Sequence, residues 1–143
     1  MIKHLSGEFE TVEYDTQKYA MLYDNVQTEE YPVHWHNAVE LIMPMKNEYT
    51  VTVNGIDYLI PENDVLIVPP CELHSMPAIP GRRIIFQCDN SILGEITALE
   101  PVMRSLNAPV LICADMDKEL HVLQKRQCSI SFRCTTQNPS LQT

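Results

Sequence analysis

A chain of 143 residues, 45% hydrophobic, is one domain's worth of globular protein with enough apolar material for a core. A formal net charge of −9 repels phosphate backbones, which argues against direct nucleic-acid binding by this chain. No apolar run approaches the ~18 residues that cross a bilayer. The N-terminus also lacks the apolar stretch of a secretory signal, so a cytoplasmic protein without a membrane partner is expected.

In chain order, residues 8–14 and 19–26 read as short strands rich in β-branched and aromatic side chains. Residues 28–32 form a polar connection, and 33–45 follow as one long, mostly apolar run. The alternation of Tyr49-Thr50-Val51-Thr52-Val53 reaches Asn54-Gly55 and resumes at Ile56 through Ile60. Asn-Gly between two alternating runs is the strongest short hairpin signal, because both residues accept positive φ. A turn over 61–64 leads to a buried strand over 65–68, which Pro69-Pro70 stops. Residues 82–88 form another strand. Segments 91–99 and 101–106 read as short helices, with Ser91 as a cap and Pro101 in a first turn. Residues 109–113 suggest one more strand, and 115–123 has helical spacing at Met116, Leu120 and Leu123. Strands first and helices afterwards argue for a barrel or sandwich with a helical appendix.

The five cysteines are odd in number and contain no Cys-x-x-Cys pair, which disfavours a zinc ribbon or redox dithiol and favours thiols in a reducing cytosol. Charge is distributed unevenly. All nineteen acidic residues lie at or before Glu119, and only Lys125, Arg126 and Arg133 carry charge after it. The organisation expected is a barrel over 1–90, a helical dimerisation-type extension over 91–123, and an irregular tail over 124–143 that is disordered or frame-shifted.

Chemistry concentrates in one place. His34 and His36 are two residues apart, so on a regular strand they share a face, and Glu40 keeps the same parity. His74 lies just beyond Pro69-Pro70, where a neighbouring strand would bring it alongside. Three imidazoles and a carboxylate suit a divalent transition metal such as Zn, Ni, Fe or Mn. Trp35, of opposite parity, reads as packing. Tyr49 and Tyr58 are candidates to line a ligand site, and one of Arg82 and Arg83 is a candidate to face inward toward an acidic effector.

His34-x-His36-x-x-x-Glu40 resembles the first cupin motif, and Asn63-Asp64 through His74 resembles the second. Asn47, Asn63 and Cys71 stand where the family usually has turn glycines, and Ala78 where it has asparagine; Asn is the next best residue for left-handed backbone. More narrowly, residues 34–41, 53–60 and 64–74 resemble the effector-sensing N-terminal domain of AraC-type transcription regulators. The resemblance implies an all-β double-stranded β-helix (a cupin jelly-roll barrel) with C-terminal helices. It further implies a small-molecule effector, a sugar by family habit, bound at His34, His36, Glu40 and His74 with Tyr49 and Tyr58 nearby. A homodimer through the helices is implied too, with no catalytic residues and here without the helix-turn-helix domain. The alternative reading is a stand-alone metal-dependent cupin enzyme: an isomerase, epimerase or dioxygenase.

Overall fold

The computed structural model describes residues 4–14, 19–26 and 29–114. The chain divides into two compact units, Met1–Ile112 and Cys113–Thr143. The helix expected over 115–123 and the tail over 124–143 lie outside the described residues.

In the first unit, β1 (Leu5–Ser6) and β2 (Phe9–Glu10) form a small hairpin. They are followed by β3 (Ala20–Asn25), β4 (Tyr31–His34), β5 (Ala38–Lys46), β6 (Tyr49–Val53), β7 (Ile56–Ile60), β8 (Val65–Val68), β9 (His74–Met76) and β10 (Arg82–Asp89). Two short helices, α1 (Asn90–Glu95) and α2 (Glu100–Ser105), precede a last strand, β11 (Val110–Ile112). A five-stranded sheet runs β11-β8-β5-β10-β3, and a four-stranded sheet runs β4-β9-β6-β7. Neighbours in both sheets pair antiparallel. The all-β jelly-roll barrel expected from the sequence is the fold observed.

Period-two patterning builds the interior. Tyr49, Val51 and Val53 on β6 point inward while Thr50 and Thr52 do not, and Leu66 and Val68 do the same on β8. With Ile42, Ile60, Met76 and Ile85 they form one apolar cluster. Each such side chain contributes roughly 1.5–3 kcal/mol by leaving water. Arg83, Ile85 and Gln87 face inward from β10, so an apolar strand carries a cation and an amide into the barrel.

Turn chemistry matches the sequence closely. Asn54 and Gly55 have φ of 49° and 78° and join β6 to β7. Asn47, Asn63 and Cys71 have φ of 66°, 67° and 65°: the three positions where the family pattern has glycine are left-handed here. For Asn this is tolerable, but for Cys71 a left-handed backbone costs roughly 1–2 kcal/mol.

Three local readings need correction. The run over 33–45 is not one strand. It breaks between β4 and β5, and the chain passes there from the four-stranded sheet to the five-stranded one. The strand expected over 8–14 is only the two residues of β2. The cap of α1 is Asp89 rather than Ser91: its carboxylate accepts from the Ser91 backbone N–H at 2.8 Å. Asp is as good a cap as Ser, and β10 delivers it at the helix start. In α2, Pro101 sits in the first turn as expected.

Candidate functional site

His34 and His74 are partners across the β4–β9 ladder, with ring centroids 4.2 Å apart. Glu40 and Gln87 are partners across the β5–β10 ladder. One pair belongs to each sheet, and the two face each other through the barrel. His36 lies on the crossing segment between the sheets and completes the ring of groups. It is held there because the Cys71 backbone N–H donates to the His36 carbonyl at 2.8 Å. The one-face arrangement expected from parity does not hold: His34 and Glu40 lie in different sheets and converge from opposite walls. His34, His36, Glu40 and His74 are all 1–2% exposed.

The tautomers follow from hydrogen-bond chemistry. Each Nδ1 lies beside a backbone carbonyl: His34 at Pro32 (2.8 Å), His36 at Ala38 (3.2 Å), His74 at Glu72 (2.8 Å). A carbonyl only accepts, so each Nδ1 donates its proton. In a neutral ring the lone pair is then on Nε2, the arrangement that metal-ligating histidines adopt. The three imidazoles offer donor atoms within 4.8 Å of one another. Glu40 Oε2 lies 2.8 Å from His36 Nε2 and 3.8 Å from His74 Nε2, and it accepts from the Gln87 amide at 2.8 Å.

A bare Nε2 and a carboxylate oxygen at 2.8 Å repel unless a cation, a proton or a metal ion, lies between them. Three further atoms here, Glu10 Oε2, Glu40 Oε1 and His74 Nε2, are buried without a hydrogen-bond partner among the described residues. Buried polar atoms are rarely left so, and together these describe a nest of electron pairs. Donors about 2.0–2.2 Å from one ion sit roughly 3–4 Å from each other, so a modest tightening of the rings would seat a transition metal. Bound there, such an ion would supply Lewis acidity and a coordination position for a ligand oxygen.

Electrostatics agree. Burial alone would push the Glu40 carboxyl up, but its contacts with His36 and His74 outweigh that and hold it well below the usual carboxylate range. Burial, then the neighbouring His74, brings His34 down to about 4, so its ring is neutral at neutral pH. For His74 burial works downward, yet the nearby Glu40 carboxylate, 3.8 Å from its Nε2, and the Glu72 carbonyl at its Nδ1 win and raise it. Burial, with Glu40 adding repulsion against attraction from His36 and His74, raises Glu10.

A cavity of ≈ 510 Å³ adjoins the cluster, lined among others by Glu10, Tyr23, Asn25, Tyr31, His34, Glu40, Met76, Ile85 and Gln87. That volume suits one small molecule. Tyr49 and Tyr58 are not in its lining. Tyr49 is buried, donates its hydroxyl to the Pro77 carbonyl at 2.9 Å and lies under the Arg83 guanidinium at 3.7 Å. Tyr58 packs against the apolar cluster. Arg83 is the inward member of its pair, with a bond from Nη2 to the Ile79 carbonyl at 2.6 Å. Arg82 is on the surface beside Asp24. Trp35 stacks on Phe9, with ring centroids 4.7 Å apart.

Sequence reasoning missed Glu10 and Gln87. Gln87 carried a signal, since an amide at an inward position of an apolar strand needs a polar partner. Glu10 carried none: only the docking of β2 beside Trp35 brings it to the histidines.

No protein-family model and no curated protein matches the chain. Among solved structures it is similar to an RmlC-like cupin from Shewanella frigidimarina (21% identity, TM-score 0.40), covering 48% of this chain and 63% of that one. It is also similar to ToxT from Vibrio cholerae (10% identity, TM-score 0.44, 74% of this chain and 45% of that one). An apo ToxT structure from strain SCE256 gives 11% identity, TM-score 0.48, and 80% and 48% coverage. The chain thus spans under two thirds of the cupin and about half of ToxT, and at these identities the likeness stops at the fold.

Proposed function

We propose that this chain is a small-molecule sensing domain of the AraC-type regulator class, in which a divalent metal ion held by His34, His36, Glu40 and His74 anchors the effector. The observation that carries the reading is the set of three imidazoles, with donor atoms within 4.8 Å of one another, and a buried carboxylate converging beside a cavity of ≈ 510 Å³. The lining mixes hydroxyl, amide and carboxylate groups with Met76 and Ile85, which suits a polyhydroxylated ligand such as a sugar. Sensing requires that the effector favour one of two arrangements, with a homodimer formed through α1 and α2 as the element that shifts. Among the described residues no helix is long and apolar enough to cross a membrane.

The test is calorimetric titration of the purified chain with Zn(II), Ni(II), Mn(II) and Fe(II), then of the loaded form with a panel of monosaccharides, with light scattering at each stage. One ion per chain, a saccharide heat that requires the ion, and a dimer support the reading. Absence of metal binding, or saccharide binding that ignores the metal, refutes it.

The complete donor set also supports a second reading, a metal-dependent cupin enzyme. Turnover that is stoichiometric in metal and abolished by His36→Ala would favour the enzyme. Ligand binding without turnover favours the sensor.

A further inference from the structure

The first cupin motif ends at Glu40, yet a second carboxylate enters the site from outside both motifs. The Glu10 backbone N–H donates to the Trp35 carbonyl at 2.9 Å, and the Trp35 N–H donates to the Glu8 carbonyl at 2.8 Å. Phe9 stacks outward on the Trp35 ring, so the next residue, Glu10, faces inward. β2 is thereby docked on the very segment that carries His34 and His36. The Glu10 carboxylate reaches 3.6 Å from His34 Nε2, the donor atom of that ring. Its Oε2 is buried and has no hydrogen-bond partner among the described residues, although it lines the cavity beside Gln87 and Glu40.

Two carboxylates aimed at one spot, Glu40 fully buried and Glu10 mostly so, repel each other and are costly to desolvate. A protein keeps such an arrangement where a cation compensates it. An Nε2 that donates nothing also gives Glu10 no proton to accept, so hydrogen bonding to His34 does not account for its position. We infer that Glu10 is a fifth donor to the metal ion, delivered by the N-terminal strand. The inference rests on the metal reading above. It adds that ion binding and the docking of β2 on Trp35 are thermodynamically linked, since an ion that bonds Glu10 holds the strand in place. A five-donor set with two carboxylates also favours the harder ions, Mn(II) or Fe(II), over a four-coordinate zinc arrangement.

The experiment compares the full chain with its Glu10→Gln, Glu10→Ala and His36→Ala variants by Mn(II) and Zn(II) titration. The visible spectrum of the Co(II) forms and hydrogen exchange of residues 4–12 with and without metal are recorded alongside. The expected result for Glu10→Gln is metal affinity lowered about 10- to 100-fold, with Mn(II) losing more than Zn(II), and an altered Co(II) spectrum. Metal should slow exchange in residues 4–12 of the wild type and not in the variant. Without metal, Glu10→Gln should be as stable as wild type or more so, because a like charge is removed. A merely structural Glu10 would give the opposite, a less stable metal-free variant with unchanged affinity and spectrum, and that result overturns the inference while leaving the four-donor site intact. If the wild type binds no metal while folded, the metal reading falls and this inference with it. Should Glu10→Gln fail to fold, Glu10→Ala and the metal-dependent exchange of the wild-type strand carry the test. Exchange at residues 4–12 that is indifferent to metal contradicts the inference.

Discussion

The barrel interior has two unlike halves. Around Ile42, Val51, Ile60, Leu66 and Val68 it is apolar, close-packed and free of polar obligations. Around His34, His36, Glu40 and His74 it is as deeply buried, yet electron pairs are left facing one another. Val53 and His74 are partners in the β6–β9 ladder, so a single strand pairing separates the two regimes. The contrast teaches how the fold divides its labour: the apolar half supplies stability, and the rigid strands it holds aim the polar half at a common point. Disturbing one half should therefore leave the other's observable nearly unchanged.

The largest effect is expected at the polar half. With ~10–16 kcal/mol typical of four ligands, His36→Ala should cost about a quarter of the metal-binding free energy. That is a loss in affinity of a few hundred-fold, read by competition with a chelator, with metal-free thermal stability shifted far less. Next, Leu66→Ala should destabilise the fold by about 3 kcal/mol, within the ~2–5 kcal/mol of buried leucine truncations. Denaturant unfolding gives the loss, and metal affinity measured below the transition should stay within about threefold of wild type.

Acid provides a third probe. His34 titrates near 4 when folded against an ordinary 6.5, so between those values the unfolded chain binds a proton that the folded chain resists. Its contribution is fully present above pH 6.5 and is lost as pH falls from 6.5 toward 4. The shift corresponds to about 3 kcal/mol at most, and the raised His74, whose contribution runs the other way, acts above pH 6.5 and so leaves this window to His34. Metal-free His34→Gln should show a flatter stability profile over that window than wild type; an unchanged slope would break the assignment. The smallest effect expected is at the turn that braces His36. Cys71→Gly relieves a left-handed backbone and should raise stability by about 1 kcal/mol or slightly less, with metal affinity retained.

The sequence made much of this legible. The Asn54-Gly55 hairpin, the inward alternation of β6 and the left-handed Asn47 and Asn63 are local properties, decided by φ preferences and period-two patterning within a few residues. The four motif residues were also read from the sequence, and the structure brings them close together. Their geometry was not: the run from Val33 to Met45 gives no local sign that it changes sheets at Trp35–Asn37, because the crossing is set by ladders to β9 on one side and β8 and β10 on the other. Glu10 was illegible for the same reason. Its position depends on hydrogen bonds between Glu8, Glu10 and Trp35, twenty-five and more residues apart in the chain.

The most direct test of the convergence is a crystal of the chain soaked in or grown with Zn(II), with diffraction recorded on both sides of the zinc absorption edge. The account predicts one anomalous peak inside the barrel about 2.0–2.2 Å from the Nε2 atoms of His34, His36 and His74 and from a Glu40 oxygen. A barrel with no peak at that point, or zinc held only at surface groups such as His4 and Glu13, would contradict it.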